Sequence, residues 1–491
     1  MKLTVVFKIV VAATALLFIF SLWHRQPDID DAWIGEHAYW MAKEGFVKSE
    51  LMHGITGQHI RHIVHHKFFT LLGAGFIKVF GFSLYSLKSV SLAALIVFLL
   101  IFIRYLNKNF SKDAVWLGIL LITVNALVFQ YAFVYRPEIV VMTFGFASYI
   151  FLEKAMLNPL PGKYLIFSGL LAGLAAATHL NGIIYISAGG LILLFNRRPL
   201  AALIFGVSAI PAAAVYFYDF TREYNFSYWM YQIADAPALH KVQELPEFLS
   251  FLDRPFREQR RFLHSPKEIS MTALLIFALI VSRKKFLKIS FPGLYLLLLV
   301  LSLMIFSVHS TTKYLLLYVP VIMVIVVRSL APLLDKVDTE FAVRQQSTRL
   351  KYWAILLLTI YLGIQTYWNI NNTISKYNPS ANRELAVRHF GNETQNLNVL
   401  APMNFIFNEI ENFNRIQGDL GFADMQKSGI PIHGKYLLKY SDSLNLDYLI
   451  ITNEFRESFG MDTLTEQQRN LSGFVTVTRN DEYEILKNRN E

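Results

Sequence analysis

The chain has 491 residues, of which 54% are hydrophobic and only 17% charged, and its mean hydropathy is +0.38; soluble globular chains carry roughly 25% charge, so a string of ordinary water-soluble domains is excluded. The net charge of +10 invites a nucleic-acid reading until the charges are placed. With no cysteine anywhere, disulfides, thiolate nucleophiles and cysteine-based zinc or iron–sulfur sites are excluded as well.

Eleven apolar runs count as crossings of a hydrocarbon core, which takes about 20 helical residues and fewer where polar flanks snorkel: 5–23, 85–104, 113–132, 138–154, 164–179, 182–196, 200–218, 269–282, 290–308, 314–332 and 352–371, of which 269–282 is short. The first reads as a retained anchor, since bulky Trp23, His24 and Arg25 follow it where a cleavage site would need small residues. With Lys2 cytoplasmic, every short basic loop falls on the same side: Arg104, Lys108 and Lys112; Lys154 and Lys163; Arg197 and Arg198; Arg283, Lys284, Lys285 and Lys288; Lys336, Arg344, Arg349 and Lys351. A crossing by the apolar segment Phe68 to Phe80 would invert everything after it, so that segment is expected as a re-entrant or surface-lying helix.

The outer side then receives 24–66, the turns Tyr135–Glu138 and His179–Gly182, the loop 219–268, the turn His309–Lys313 and the tail. The expected fold is an all-α polytopic membrane protein of about eleven transmembrane helices plus a re-entrant or juxtamembrane helix, with a small C-terminal extracytoplasmic α/β domain. Residues 1–371 form the membrane domain, including a first outer loop with juxtamembrane helices at 24–84 and a large outer loop at 219–268; residues 372–491 form the tail domain. In the tail, Asn398-Val-Leu-Ala, Asp447-Tyr-Leu-Ile-Ile-Thr and Phe474-Val-Thr-Val-Thr predict strands, and Ser380–Phe390 and Asn404–Phe413 predict helices. Gly169-x-x-x-Gly173 has the spacing that lets two membrane helices approach closely, although the motif is common by chance. The charge now divides: residues 372–491 hold 12 Lys+Arg and 16 Asp+Glu, a net −4, which leaves +14 for residues 1–371. Most of that excess lies in cytoplasmic loops, where it sets orientation and meets anionic lipid, so nucleic acid is not an expected partner.

Polar clusters near the outer ends of the crossings are functional candidates. Asp28, Asp30, Asp31 and Glu36 put four carboxylates in nine residues beside the first anchor. A carboxylate partly withdrawn from water there can take a proton from an acceptor hydroxyl, and the plainer reading is an Asp capping the amphipathic segment Ala32–Glu44. His53, His59, His62, His65 and His66 follow, with Arg61 and Lys67 among them; on a helix His59, His62 and His66 would share a face and are weak metal candidates, while a basic surface helix gripping phosphate is the alternative. No cofactor is required by this pattern, and a divalent metal is not predicted. Glu138 after Tyr135-Arg136-Pro137 suits the positive end of a helix, and Lys313 in His309-Ser-Thr-Thr-Lys-Tyr314 is an outer cation able to meet a phosphate or to snorkel. Arg254, Arg257, Arg260, Arg261 and His264, interleaved with Phe251, Phe256 and Phe262, add a basic aromatic stretch beside the membrane, where a phosphorylated lipid headgroup is the expected anion.

Taken together these residues resemble the GT-C superfamily of polyprenyl-phosphate-sugar-dependent glycosyltransferases, in the branch of protein O-mannosyltransferases and the lipid A aminoarabinose transferase, over about residues 5–371. Asp30-Asp31 with Ala38-Tyr-Trp-Met-Ala-Lys-Glu-Gly45 is similar to the family's Asp-(Asp/Glu) motif and following helix. Phe76-Ile-Lys-Val-Phe-Gly-Phe-Ser83 is similar to Leu-Phe-Gly-x-Ser, and Arg136-Pro-Glu138 to Arg-Pro-(Asp/Glu). Lys313-Tyr-Leu-Leu-Leu-Tyr-Val-Pro320 is similar to the family's Arg/Lys-Tyr-Leu-Leu-Pro-x-x-Pro helix. Thr178-His-Leu-Asn-Gly182 stands where the family commonly has Thr-Lys, and His65-His-Lys-Phe-Phe lacks the family's Pro-Pro. The resemblance implies an inverting transferase at the outer face of the plasma (inner) membrane, with the N-terminus cytoplasmic. Its donor would be a polyprenyl-phosphate-linked sugar and its acceptor a hydroxyl or phosphate of a lipid, glycan or protein.

By the same resemblance Asp30 is the general base, with Asp31 or Glu138 positioning it. His65, His66, Lys67, Arg136, Lys313, Arg257 and Arg260 are the candidates for donor phosphate, and Glu36, His179, Asn181, His309 and Tyr314 are further pocket residues. A transporter or flippase of polyprenyl-linked glycans, and a membrane-embedded binding or assembly protein, are the alternatives from other classes.

Overall fold

The computed structural model describes residues 3–158, 160–234, 247–282, 290–307, 311–334, 341–374, 377–391, 394–427, 433–465, 467–468 and 472–489. Helix α1 (Leu3–Ser21) leads through a short turn into α2 (Ile29–Glu44). Three residues earlier than the expected Ala32, α2 starts at a capping box: Asp28 accepts from the Asp30 amide at 3.0 Å, while the Asp31 carboxylate takes the Asp28 amide at 2.7 Å. Gly45, left-handed at φ 78°, closes its other end.

Residues 51–66 then form turns with no helix, pivoting on Gly54 and Gly57 at positive φ. The shared helical face expected for His59, His62 and His66 therefore does not exist. Segment α3 (Lys67–Phe80) is a helix of 14 residues, about 21 Å long and short of a full crossing. It buries Phe69, Thr70 and Gly73 against α2 and leaves Val79 and Phe80 exposed.

The membrane bundle continues with α4 (Leu84–Asn109), α5 (Lys112–Val124), α6 (Ala126–Tyr131), α7 (Glu138–Leu157), α8 (Gly162–Thr178), α9 (Ile183–Phe195) and α10 (Pro199–Ala213). After α11 (Phe226–Ala234) come α12 (Glu247–Leu263), α13 (Pro266–Val281), α14 (Phe291–Phe306), α15 (Val319–Leu334) and α16 (Phe341–Ile374). Among the described residues five helical segments are long and apolar enough to cross a membrane: Thr4–Ser21, Leu84–Asn109, Glu138–Leu157, Pro199–Phe217 and Thr348–Ile374. A sixth arises if α12 and α13, bent by 100° at their junction, form one span, and Gly162–Thr178, Leu180–Phe195, Phe291–Phe306 and Val319–Leu334 are shorter apolar helices. Helix α15 is almost wholly buried and, apart from Arg328 near its C-terminal end, almost entirely apolar, which makes it the centre of the bundle.

Asn125 breaks the run expected at 113–132 into α5 and α6. In an apolar medium a break is tolerated only if its freed backbone groups find partners, and α16 supplies them. Gln365 accepts from the Ala126 amide at 2.6 Å, Asn369 donates to the Val124 carbonyl at 2.9 Å, and Asn125 itself caps Val128 at 3.1 Å.

The tail contains a five-stranded mixed sheet, β1 (Asn398–Ala401), β2 (Arg415–Gly418), β3 (Tyr448–Thr452), β4 (Phe474–Arg479) and β5 (Tyr483–Asn488), in the order β2-β1-β3-β5-β4. Strand β1 runs parallel to β2 and β3, and β5 is antiparallel to β3 and β4. Three of these strands were expected. β2, Arg415-Ile-Gln-Gly, has one large apolar residue in four, so alternation could not reveal it. The helix expected over Ser380–Phe390 spans Ala381–Phe390, but Asn404–Phe413 yields only a 3-10 turn, Met403–Phe405, and one α turn, Ile406–Glu409.

The tail is packed against α2 and the segment that follows it. Ala32, Ile34, Ala38 and Tyr39 of α2 share a core with Met403, Phe405 and Phe407, and the Leu51 carbonyl accepts from the Gly418 amide at 3.0 Å and from the Gln417 side chain at 3.1 Å.

The Gly169/Gly173 pair lies where α8 crosses α10. A Cβ on Gly169 would stand 2.3 Å from the Phe205 carbonyl oxygen, and one on Gly173 2.2 Å from that of Ala209. Neither oxygen can retreat without bending α10, so Gly173→Val is expected to destabilise the protein by at least about 1–3 kcal/mol. Gly206→Val, at a position with open space around it, should leave the thermal midpoint of the detergent-solubilised protein unchanged; equal midpoints for both variants would refute the close crossing.

Candidate active site

Asp31 is fully buried, and both of its carboxylate oxygens are engaged. Oδ2 takes the Asp28 amide and lies 3.2 Å from Lys88 Nζ on α4; Oδ1 accepts from the Tyr135 amide at 2.5 Å. This fastens the start of α2 to the turn before α7. Its neighbour Asp30 meets the same turn through its side chain, pairing with Nη1 of Arg136. Arg136 is itself held in two places by Glu138, Nη2 to Oε1 at 2.8 Å and Nε to Oε2 at 3.1 Å, a forked arrangement that fixes the guanidinium plane. Lys313 Nζ, at the start of the 3-10 stretch Thr312–Leu317, is 3.8 Å from Asp30 Oδ2. The Asp30 and Lys313 side chains each keep 24% of their surface exposed, against 5% for Arg136 and 2% for Glu138. Asp30 and Lys313 are thus the accessible members of the group.

His66 and His179 stack at 4.6 Å beside this group, and His179 meets the Tyr314 ring edge-on at 5.5 Å. The Asn181 amide donates to His179 Nδ1 at 2.9 Å, which leaves Nε2 to carry the proton of the neutral ring. Burial, with Lys313 nearby, lowers His66 to about 4 against the opposing pull of Glu138, so it enters as a neutral imidazole. Arg136, Lys313, His66 and His179 all lie within electrostatic reach of Glu138.

Other expected residues go elsewhere. Lys67 Nζ sits 2.5 and 2.7 Å from the two oxygens of Asp219, and His65 Nε2 lies 3.1 Å from the same carboxylate. Burial lowers Lys67 to about 8 while Asp219 opposes the shift. Lys67 and His65, both candidates for donor phosphate, are thus engaged by Asp219. Asp219 was missed; its one local sign is a carboxylate directly after the apolar run 200–218.

Arg257 pairs with Asp253 at 2.7 Å and Arg260 is exposed, so the arginine that reaches the site is their neighbour Arg261. Arg261 is buried, paired with Glu258, bonded to Ser307 Oγ at 3.1 Å, and set over the Tyr314 ring at 5.7 Å. The spacing of Glu258 and Arg261, one helical turn apart, was the available signal. His309 lies outside the described residues.

The three weak metal candidates separate: His59 packs on His53, His62 on His37 and His66 on His179. Among the described residues no three His, Asp or Glu side chains are grouped to hold a metal ion. The reason is the turn-rich 51–66 segment, which sends successive histidines in different directions.

Glu36 is engaged by its own loop, accepting from Trp40 Nε1 at 3.0 Å, Ser49 Oγ at 2.6 Å and the amides of Glu50 and Leu51 at 2.6 and 3.2 Å.

Comparisons with known proteins agree with this architecture. Residues 67–218 match the profile of the family described as dolichyl-phosphate-mannose-protein mannosyltransferase. No curated protein matches the chain. Among solved structures, ArnT from Cupriavidus metallidurans bound to undecaprenyl phosphate is similar at a TM-score of 0.59 and 12% identity, covering 97% of each chain; its apo state gives 0.57 and 11% with the same coverage. Archaeal oligosaccharyltransferase AglB from Archaeoglobus fulgidus, in complex with an inhibitory peptide and a dolichol-phosphate, is similar at 0.53 and 14%, covering 97% of this chain and 74% of that one. The fold is GT-C-like, similar to that of these structures, and the chain is a multi-pass membrane protein.

Burial raises the Glu36 carboxyl to about 7 against its four donors. Between its ordinary value near 4.5 and about 7 the folded protein therefore holds a proton that the unfolded chain has released, so stability falls as pH rises through this window, by at most about 1.4 kcal/mol per pH unit. Glu36→Gln should flatten that part of the pH dependence of the thermal midpoint; an unchanged slope would show that Glu36 does not titrate there.

Proposed function

We propose that the chain is an integral-membrane glycosyltransferase that moves a sugar from a polyprenyl-phosphate donor to a hydroxyl or phosphate of a lipid, glycan or protein acceptor, with inversion at the anomeric carbon. The observation that carries the reading is the Asp30, Arg136, Glu138 and Lys313 group: a carboxylate fixed in orientation, partly open, with a partly open ammonium beside it. The matched family profile and the polyprenyl-phosphate and dolichol-phosphate complexes of similar folds support the donor class.

In this mechanism Asp30 takes the proton of the acceptor hydroxyl as its oxygen bonds to the anomeric carbon. The bond from that carbon to the phosphate oxygen breaks, and the electron pair leaves with the polyprenyl phosphate. Positive charge on the sugar passes through an oxocarbenium-like state facing the carboxylate, and Lys313 and Arg136 stabilise the charge growing on the leaving phosphate. His66 and His179, as neutral rings, act through hydrogen bonds to the same phosphate. Glu138 orients Arg136, and Asp31 holds the backbone that carries Asp30.

The topology belongs to the same proposal. All eleven apolar runs cross, residues 1–371 form the catalytic membrane domain, and residues 372–491 form a domain on the extracytoplasmic face of the plasma membrane, periplasmic in a Gram-negative cell. The segregation of the short basic loops supports this orientation, and the packing of the tail on α2, which carries Asp30, supports a tail and site on the same side. A flippase would keep polar groups available at an interrupted helix, whereas at the α5–α6 break the side chains of Gln365 and Asn369 are bonded to backbone.

Replacing Asp30 with Asn should lower transfer from a lipid-linked sugar by about 10²- to 10⁴-fold while the thermal midpoint holds; transfer at the wild-type rate would end the assignment of Asp30 as base. Because the chain has no cysteine, single cysteines can be read without background. Cysteines at Lys439 and Arg222 should react with a membrane-impermeant maleimide from outside intact cells and one at Lys112 only after permeabilisation, and the reverse pattern would invert the topology.

A further inference from the structure

Between the tail and the start of α2 lies a cleft of about 610 Å³, within the size range of small-molecule sites. Its position in the sheet is specific. From β1 the chain moves to β2 on one side and then to β3 on the other, so the direction of winding switches between β1 and β3. In open parallel α/β sheets the carboxyl ends of the strands at such a switch are where ligands bind. Residues that follow β1, β2 and β3 line this cleft, and Pro27, Asp28 and Ile29, leading directly into Asp30, form its opposite wall.

The chemistry of the walls is one-sided. Asp28, Asp419, Glu454 and Glu482 face the cleft, and among the described residues lining it there is no lysine, arginine or histidine. Glu454 lies close enough to act on Asp419 electrostatically. Carboxylates only accept hydrogen bonds, so the occupant must be rich in donors and must not be anionic. Asn453 adds an independent sign: its side-chain nitrogen donates to the Asp481 carbonyl, while its oxygen is buried with no hydrogen-bond partner among the described residues. Phe455 and Phe459, stacked at 4.2 Å and only 7% and 2% exposed, border the same cleft on its apolar side. Carboxylates and an amide for hydroxyl groups, with an apolar border for the C–H groups of a ring, fit a saccharide.

We propose that this cleft is a binding site for a neutral or amino-substituted saccharide, and, resting on the transferase reading above, that this saccharide is part of the acceptor, held so that its hydroxyl reaches Asp30. Asp28 links the two sites. It lines the cleft and caps the helix that carries Asp30, and it lies within electrostatic reach of Arg136 and Lys313. An acceptor bearing phosphate or carboxylate at this point would meet four carboxylates and be rejected.

The test uses the full-length chain in nanodiscs and saturation-transfer-difference NMR with three probes: methyl glucoside, glucosamine and glucuronate. The first two should give signals at least tenfold stronger than glucuronate. The Glu454→Lys/Glu482→Lys double variant changes two exposed side chains and should keep the thermal midpoint while losing at least tenfold in glucosamine binding. No binding of any probe, a preference for glucuronate, or glucosamine binding unmoved by the double variant would each overturn the proposal. Asp30→Asn should bind the saccharides as the wild type does. Saccharide binding by a wild-type protein that transfers no sugar would sink the transferase reading and leave the cleft assignment standing. Transfer whose acceptor KM is unmoved in the double variant would do the opposite.

Discussion

The buried Asp31 carboxylate is the contact on which the arrangement of the site depends. Withdrawn from water, it must be matched by a cation and by hydrogen bonds, and Lys88 together with the amides of Asp28 and Tyr135 supplies them. Losing one partner of such a buried pair costs about 3–5 kcal/mol, a large share of a typical folding free energy. The bond therefore fixes three elements at once: the cap of α2, the α4 helix, and the turn that carries Arg136. Adjacent helical residues point about 100° apart, so once Asp31 faces inward toward Tyr135, Asp30 is turned toward the Arg136 side chain and the less buried region.

The same accounting of charge sorts the cations. Asp219 occupies Lys67, Glu258 occupies Arg261 and Asp253 occupies Arg257. Arg136 is shared between Glu138 and Asp30, and Lys313 lies 3.8 Å from Asp30, longer than a direct hydrogen bond. A basic cluster that looks uniform along the chain is thus divided into locked structural pairs and a small group whose charge faces accessible space. That division, rather than the number of positive residues, gives this group a chemical focus.

Helix α2 also joins the membrane bundle to the tail. Asp30 lies in its first turn, its middle packs against Phe405 and Phe407, and Glu36 on its flank organises residues 49–51, whose Leu51 carbonyl meets the end of β2. A displacement of the tail would be felt at the helix that presents the carboxylate. The boundary near residue 371, clear in composition, is a packed interface in three dimensions.

Much of this molecule was determined by local pattern. Apolar runs marked where apolar helices lie, because burial in lipid demands about 20 consecutive apolar residues. Short apolar runs marked β1 and β3 and an alternating one marked β4, and the Asp and Arg-Pro-Glu motifs picked out Asp30, Arg136 and Glu138 before any geometry was known. The α5–α6 break, the β2 strand and the scattering of His59, His62 and His66 were not legible. Each depends on partners far along the chain: Gln365 bonds Ala126 across 239 residues, and Asp219 holds Lys67 across 152. Sequence spacing fixes which side chains share a helix face, but which acid meets which base is decided by distances of a few ångströms between elements. Only the tertiary structure could therefore separate the engaged cations from the accessible ones, and bring the acidic ends of β2 and β3 beside the helix that carries Asp30.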